Sequence, residues 1–254
     1  MNFRSFKNRW IFRFQLNYGK ILYNLKFKNK FSKATNFLIF HQGRCGSTLL
    51  EKLLKTNNNI KTFSEIYSRS YIPMDSNIEN MINYLSSTSN AKYNLYELKY
   101  GIENHLSFSL NRSLINLIKK NKVKVILLIR KNSIEQAKST IYSHFLNDKF
   151  HFKKQDYPIN KIVRVKSPFL LGGKFYMNIE EVANYIDKQT LLFKKYLDIH
   201  KVKYKIITYE EIINNRESFK NKVSEILNYS NLQISNKIET IKTPINYSKN
   251  LIID

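Results

Sequence analysis

A short loop between an apolar run and a helical pattern carries residues that could bind an anion. In the segment 37–54, the apolar run 37–40 leads into a loop with Gly43 and Gly46, and the loop opens a helical pattern. Free backbone N–H groups at a helix start, together with the helix dipole, favour a phosphate-like group. Arg44 adds a guanidinium fork suited to the same kind of ligand. The loop therefore predicts an anion site, where Gly46 lets the backbone approach the ligand closely.

Three further residues complete this loop. Ser47 and Thr48 supply hydroxyl donors, and we interpret Cys45 as a small loop residue, although a helix start would lower the pKa of a thiol. The pattern differs from the nucleotide-binding sequence G-x-x-x-x-G-K-[ST], because no Gly-Lys pair is present and the loop is shorter. The Mg²⁺ handling of that sequence is therefore not indicated.

A second basic residue follows the strongest apolar run of the chain. Residues 123–129 are mostly β-branched or leucine, Arg130 comes directly after them, and Ser139 lies in the next helical pattern. An arginine can form charge-assisted hydrogen bonds with a dianion. Alone, Ser139 would be an ordinary helical serine. We expect it to lie on the helix face toward the strand end, so that the pair forms a second anion site.

Charged residues lie at or soon after the carboxyl ends of several predicted strands. These residues are Arg44, Glu65, Lys99 and Arg130. The carboxyl ends of parallel strands share one edge of a sheet, and ligands bind at that edge. Glu65 has an alternative interpretation as a helix cap or a solvated side chain. We interpret Glu210, after the last predicted strand, as a structural anchor.

The alternation of apolar runs and helical patterns predicts the fold class. Strands are expected at 37–40, 60–63, 95–100, 123–129 and 204–209, and helices at 47–55, near 76–86, and at 110–120, 134–145, 179–200 and 217–228. Continuous apolar strands separated by helices are typical of a parallel sheet covered on both faces. We therefore predict a doubly wound α/β domain with a mainly parallel five-stranded sheet, helices on both faces and a P-loop-like nucleotide-binding core. Residues 147–178 show no clear period and are expected to form an insertion or a lid loop.

The first thirty residues differ in composition from the rest of the chain. They contain eight basic residues, no acidic residue and many aromatic residues. Such a segment suits the surface of an anionic membrane. It also suits a helix that docks on the domain and keeps a basic face in water, which is the interpretation we favour. We divide the chain into a basic, aromatic extension at 1–30 and a domain at 31–254.

The net charge, the cysteine content and the apolar runs of the chain bear on its cellular compartment more than on its function. A net charge of +24 attracts anions of every kind, although AT-rich coding bias is an alternative source of the many lysines. Cys45 is the only cysteine, so no disulfide can form within one chain and a reducing compartment carries no penalty. No apolar run of about 18 residues is present. We expect a cytoplasmic protein, with peripheral membrane contact through residues 1–30 as an option.

Several of these segments together resemble the sulfotransferases that use 3′-phosphoadenosine 5′-phosphosulfate (PAPS). The family's 5′-phosphosulfate loop has a basic residue, a small residue, glycine and two hydroxyl residues, and residues 44–48 match it in order. The segment 125–145 is similar to the 3′-phosphate segment, with Arg130 and Ser139 in its two positions. Their spacing is closest to that of bacterial carbohydrate sulfotransferases acting on nodulation factors and trehalose. The segment 207–212 resembles the family's Tyr-Glu-Asp-Leu segment.

The resemblance implies a role for individual residues. The residues implied to bind PAPS, without a metal, are Arg44, Cys45, Gly46, Ser47, Thr48, Arg130 and Ser139. Glu65 stands where trehalose-type enzymes place the proposed general base, and it would be catalytic together with Arg44. His41 or His144 is the alternative base, because the cytosolic enzymes use a histidine. No clear copy of the family's Arg-Lys-Gly loop is present, and residues 246–249 could cover that role.

The resemblance implies transfer of a sulfuryl group from PAPS to a hydroxyl of an acceptor, either a carbohydrate or a glycolipid. One alternative is a nucleotide kinase, which needs a lysine after the loop glycine and a Mg²⁺ site. Another is a non-catalytic RNA- or membrane-binding protein driven by charge, whose binding would depend steeply on salt. No specific nucleic-acid partner is expected.

Overall fold

The computed structural model describes residues 34–64, 82, 85–86, 89–100, 111–146, 162–230, 232 and 250–254. Several predictions made from the sequence concern residues outside this set. They are the extension at 1–30, the general base Glu65, most of the helix near 76–86, the first part of the predicted insertion and the tail segment 246–249.

The strands and helices are numbered along the chain. The strands are β1 (Thr35–His41), β2 (Ile60–Phe63), β3 (Tyr93–Lys99), β4 (Lys124–Ile129), β5 (Val163–Val165), β6 (Phe169–Leu171), β7 (Lys174–Tyr176), β8 (Tyr204–Thr208) and β9 (Leu251–Ile253). The helices are α1 (Ser47–Leu54), α2 (Asn111–Lys120), α3 (Ser133–Phe145), α4 (Ile179–Ile199), α5 (Tyr209–Asn214) and α6 (Arg216–Leu227).

The central sheet has five strands in the order β2-β3-β1-β4-β8. Each neighbouring pair is parallel, and the registers include Leu38 opposite Tyr96 and Leu38 opposite Val125. All five strands coincide with predicted apolar runs, with ends that differ by at most two residues. The predicted five-stranded α/β sheet is confirmed.

Helices cover both faces of this sheet, as the continuous apolar strands require. Along β1, Phe37 and Ile39 pack in one core cluster with residues of α1 and α6. Leu38 and Phe40 alternate with them and pack in a second cluster with residues of α2 and α4. Side chains of successive strand residues point to opposite faces, so β1 is buried from both sides.

A third core cluster lies around α3 and the first half of α4. Ala137 and Ile141 of α3 pack there with Val182 of α4 and with side chains of β5, β6 and β7. Strands β6 and β7 form an antiparallel hairpin, and β5 pairs in parallel with β9. The region 147–178, in which the sequence showed no periodicity, therefore contains three short strands in its described part.

The sheet order places a crevice between β1 and β4. The chain leaves β1 through α1 toward β2 on one side, and it leaves β4 toward β8 on the other side. In open α/β sheets, ligands bind outside the carboxyl ends of the strands where the direction reverses in this way. The loops after His41 and after Ile129 border this crevice, and they carry Arg44 and Arg130.

Candidate anion-binding site

The loop between β1 and α1 is a tight turn with two residues in the left-handed region of backbone space. Gly46, the residue before α1, has a φ of 91°, in the left-handed region that side chains disfavour. A Cβ atom at this position would lie 2.6 Å from Cδ2 of the Tyr209 ring. Arg44 also has a positive φ, 64°, which is uncommon for a residue with a side chain and is a feature of functional sites.

The start of α1 has no side-chain cap in the described structure. The first N–H groups of an α-helix lack partners within the helix. Ser47 and Thr48 are the first two residues of α1, and Thr48 is exposed. The turn therefore presents backbone donors and two hydroxyl groups at the edge of the crevice, where an anion can be bound.

Two glutamine side chains fix this loop to helices distant in sequence. Gln136 in α3 donates a hydrogen bond through Nε2 to the carbonyl oxygen of Gly43, at 2.8 Å. Gln42 donates through Nε2 to the carbonyl oxygen of Ile186, at 2.9 Å, and to Oγ1 of Thr190, at 2.7 Å. Both amides are buried, where hydrogen bonds are costly to leave unmade. The loop is therefore held before any ligand arrives.

Cys45 contributes to the loop through its backbone and not through a reactive thiolate. Its side chain is 1% exposed, and its thiol donates to the carbonyl oxygen of Gln42. Burial raises the pKa of this thiol far above its usual range, and the charge of Glu97 raises it further. The start of a helix would be expected to lower the pKa of this thiol, but the effect of burial is larger. The interpretation of Cys45 as a small loop residue fits this geometry.

Arg44 and Ser139, predicted from separate segments, are in direct contact. Nε of Arg44 donates a hydrogen bond to Oγ of Ser139 at 3.2 Å. Ser139 is buried in α3, on the same helix as the loop anchor Gln136. Since β1 and β4 are neighbours in the sheet, the helix that follows β4 brings its serine to the loop that follows β1.

Arg130 lies directly after β4, and an aromatic ring supports its guanidinium. Its Cζ atom is 4.7 Å from the centroid of the Tyr209 ring, a cation–π contact. Its Nε is buried and has no hydrogen-bond partner within the described ranges. Buried donors are rarely left unpaired. A ligand oxygen in the crevice would satisfy this donor.

Tyr209 is the site residue that sequence reasoning missed. Its ring lies against Gly46 on one loop and against Arg130 on another, so it joins the two candidate anion sites. The segment 207–212 was singled out from the sequence, but its tyrosine was given no role. The pairing of Ile129 with Thr208 places the ends of β4 and β8 side by side, which explains the contact with Arg130.

Glu210 acts as the structural anchor that the sequence predicted. Its Oε1 and Oε2 each accept a hydrogen bond from the backbone N–H of Lys131 at 3.0 Å. Its Oε1 also accepts from the N–H of Asn132 at 3.1 Å. These bonds fix the turn after Arg130. Both oxygens of this carboxylate are thus engaged with the backbone.

The strand end that precedes Glu65 is tied to α1, although Glu65 itself lies outside the described residues. Oε1 of Glu51 accepts hydrogen bonds from Ser64 Oγ at 2.6 Å and from Thr62 Oγ1 at 3.3 Å. Burial tends to raise the pKa of Glu51, but hydrogen bonds from Lys55 and Ser64 outweigh it, and the pKa is lowered. An ionised Glu51 therefore fixes the residue before Glu65.

The two histidines proposed as alternative bases occupy different environments. His41 is fully buried: Nδ1 is 2.9 Å from the carbonyl oxygen of Gln42, and Nε2 is 3.6 Å from Oε2 of the buried Glu97. A general base must reach the proton that it abstracts, so this burial argues against His41. His144 is exposed in the last turn of α3. Lys99, opposite His41 in the sheet register, is half-buried.

The chain was compared with protein-family models and with curated proteins. No family model matches the chain, and no curated protein matches it.

Among the described residues, no group of three or more histidine, cysteine, aspartate or glutamate residues could hold a metal ion. In the same ranges, none of the helices combines the length and the apolar character needed to cross a membrane.

A glycine substitution tests the close approach at the loop. Gly46→Ala should lower the free energy of unfolding by about 1–3 kcal/mol, since its φ disfavours a side chain and its Cβ would press on Tyr209. Urea denaturation measures this loss. Gly173→Ala is the matched control, because Gly173 has a φ of 82° but nothing within 4 Å of the added Cβ. Equal losses of unfolding free energy in the two variants would show that the contact with Tyr209 does not contribute to the cost of the substitution.

Proposed function

We infer that the chain is a PAPS-dependent sulfotransferase built on a P-loop-like nucleotide-binding core. The observation that carries this proposal is the hydrogen bond between Arg44 Nε and Ser139 Oγ. It unites the two segments whose residues resemble the 5′-phosphosulfate and 3′-phosphate segments of that family. A charge-driven binding protein would have no need for such a contact at the switch point of its sheet.

The proposed donor site has two parts. The sulfate end lies at the loop, with Arg44 and the amides of residues 45–48 around it, and Ser47 and Thr48 supply hydroxyl groups. The 3′-phosphate lies near Arg130 and Ser139. The buried Nε of Arg130, without a partner in the described ranges, supports an oxygen ligand there. Two separate anion sites distinguish a 3′-phosphorylated nucleotide from ATP.

The proposed reaction is an in-line displacement at sulfur. The acceptor hydroxyl oxygen forms a bond to sulfur while the bond from sulfur to the 5′-phosphate oxygen breaks. Glu65 takes the hydroxyl proton. Arg44 and the loop amides stabilise the charge that develops on the transferring oxygens and on the leaving phosphate. The products are a sulfated acceptor and adenosine 3′,5′-bisphosphate, and no metal is required in this scheme.

The acceptor and the setting are further parts of the proposal. The resemblance to trehalose- and nodulation-factor-type enzymes supports a carbohydrate or glycolipid hydroxyl as acceptor. A cytoplasmic setting agrees with a single cysteine whose thiol is buried. For residues 1–30, a helix docked on the domain is the favoured interpretation, and a peripheral contact with an anionic membrane is the alternative.

Nucleotide selectivity tests the proposed function. Adenosine 3′,5′-bisphosphate should raise the melting temperature far more than AMP or ATP, because only it can fill both anion sites. At a ligand concentration 100 times Kd, binding stabilises the native state by about 2.7 kcal/mol, which corresponds to roughly 5–10 °C for a chain of this size. Differential scanning fluorimetry measures the shift.

The same assay separates the alternative functions. Equal shifts for ATP and the bisphosphate would contradict the sulfotransferase proposal and favour a nucleotide kinase. Absence of any shift, with RNA or vesicle binding that falls steeply with salt, would favour the charge-driven binding protein.

A further inference from the structure

The β6–β7 hairpin presents a pair of large apolar side chains to solvent. Leu170 and Phe175 lie opposite each other in the hairpin register, and they are 49% and 71% exposed. The next pair, Phe169 and Tyr176, is buried in the third core cluster. The hairpin therefore has an inner face that belongs to the core and an outer face that nothing in the described ranges covers. Met177, just after β7, adds a further exposed apolar side chain.

The hairpin is held firmly enough to present this face in a fixed position. The Phe169 ring contacts the Tyr176 ring beside it and the Phe145 ring at the end of α3. The hydroxyl of Ser167 donates to the carbonyl oxygen of Met177 at 2.8 Å, which closes the base of the hairpin. Apolar side chains held in this way are exposed in the folded state and not only through local opening.

The charges within the hairpin segment are of one sign, although Oε2 of Glu181, just beyond this segment, accepts a hydrogen bond from the backbone N–H of Met177 at 2.8 Å. Residues 162–179 contain Arg164, Lys166 and Lys174 and no acidic residue. All three basic residues are exposed. Lys174, at the start of β7, lies with its Nζ 4.2 Å from the centroid of the Tyr185 ring. The apolar tip therefore belongs to a segment whose own charges are all positive.

We propose that this hairpin tip docks on an anionic lipid surface. Apolar side chains enter the boundary between headgroups and acyl chains, while lysine and arginine side chains meet anionic headgroups. A second copy of this chain is disfavoured as the occupant, because each copy carries a net charge of +24 and two copies repel each other. The inference stands apart from the proposed sulfotransferase reaction, since none of these residues belongs to the candidate anion site.

Vesicle binding of the full chain tests this docking surface. The probes are vesicles of phosphatidylcholine alone and vesicles that also contain phosphatidylserine. The double variant Leu170→Ser/Phe175→Ser should lower the partition coefficient on the anionic vesicles about tenfold or more, because two large apolar side chains no longer leave water. The matched control is Leu191→Ser/Ile199→Ser, which removes two exposed apolar side chains from the second half of α4 and should bind like the unchanged protein. Unchanged binding by the hairpin variant would overturn the proposal.

A second measurement reports directly on the hairpin. Because Cys45 is the sole cysteine and is buried, Phe175→Cys can be labelled selectively with a thiol-reactive, polarity-sensitive dye. Its emission should shift to the blue on anionic vesicles, whereas the same dye at Ile199→Cys should not respond. No shift at position 175 in vesicle-bound protein would overturn the proposal. A shift that grows with protein concentration without vesicles would also overturn it and identify a second copy as the occupant.

Discussion

Replacement of Glu65 by glutamine should lower the turnover of sulfuryl transfer by about 10²–10⁴, the usual contribution of general acid–base catalysis. Glutamine keeps the shape of the side chain and removes the carboxylate that accepts the proton. The affinity for adenosine 3′,5′-bisphosphate should change little, because Glu65 is assigned to the acceptor and not to the donor. Transfer of radiolabelled sulfate from PAPS to an acceptor in a cell extract measures turnover, and thermal stabilisation by the bisphosphate measures affinity.

The rival interpretations of Glu65 give different results in the same experiment. If Glu65 only caps a helix, the substitution should cost about a kcal/mol of stability or less and leave transfer intact. If the exposed His144 is the base, His144→Asn should be the inactive variant instead. Full activity of a folded Glu65→Gln protein would remove Glu65 from the mechanism without affecting the proposed donor site.

The second large effect is expected at Arg44. Arg44→Ala should lower turnover by about 10²–10³, the range seen when a donor to a developing negative charge is removed. A group that acts mainly in the transition state lowers turnover more than ground-state affinity. Arg130→Ala should instead weaken binding of the bisphosphate, because its assigned partner is the 3′-phosphate, which does not react.

The neighbour of Arg130 supplies a matched control for these variants. Lys131 is exposed, and its contact with Glu210 is made by its backbone N–H, so Lys131→Ala removes one positive charge and keeps that contact. Lys131→Ala should therefore bind and turn over like the unchanged protein. Loss of activity in Lys131→Ala comparable to that in Arg44→Ala would mean that net charge matters and that the loop assignment is wrong.

The central sheet was predictable because its three middle strands, β3, β1 and β4, are buried on both faces. Burial of that kind requires a continuous apolar run, and such runs can be read directly from residues 37–40 and 123–129. The loop with Gly46 and the position of Arg130 were predictable for a related reason, since they adjoin those runs. Strands β5, β6 and β7 were not predictable in this way. Each has three residues; β5 pairs with the distant β9, and the core beneath the β6–β7 hairpin comes from α3 and α4.

The contacts that assemble the candidate site were also beyond sequence reasoning. Arg44 and Ser139 are 95 residues apart, and Gln136 and Gly43 are 93 apart. No local pattern specifies such pairs; they follow from the placement of β1 beside β4. The role of Tyr209 depends in the same way on the neighbouring ends of β4 and β8. The residue types therefore allowed the charged side chains of the site to be predicted. Their contacts with each other follow only from the order of the strands in the sheet.

The corner where β8 enters α5 assigns a separate task to each of four consecutive residues. Thr208 and Glu211 cap the helix reciprocally, Tyr209 supports Arg130 and lies against Gly46, and Glu210 holds the turn after β4. A change at Tyr209 or Glu210 disturbs a partner on a different loop, so few substitutions at these two positions should be tolerated. During evolutionary divergence, we expect this four-residue run to change more slowly than the apolar strands, in which one aliphatic residue readily replaces another.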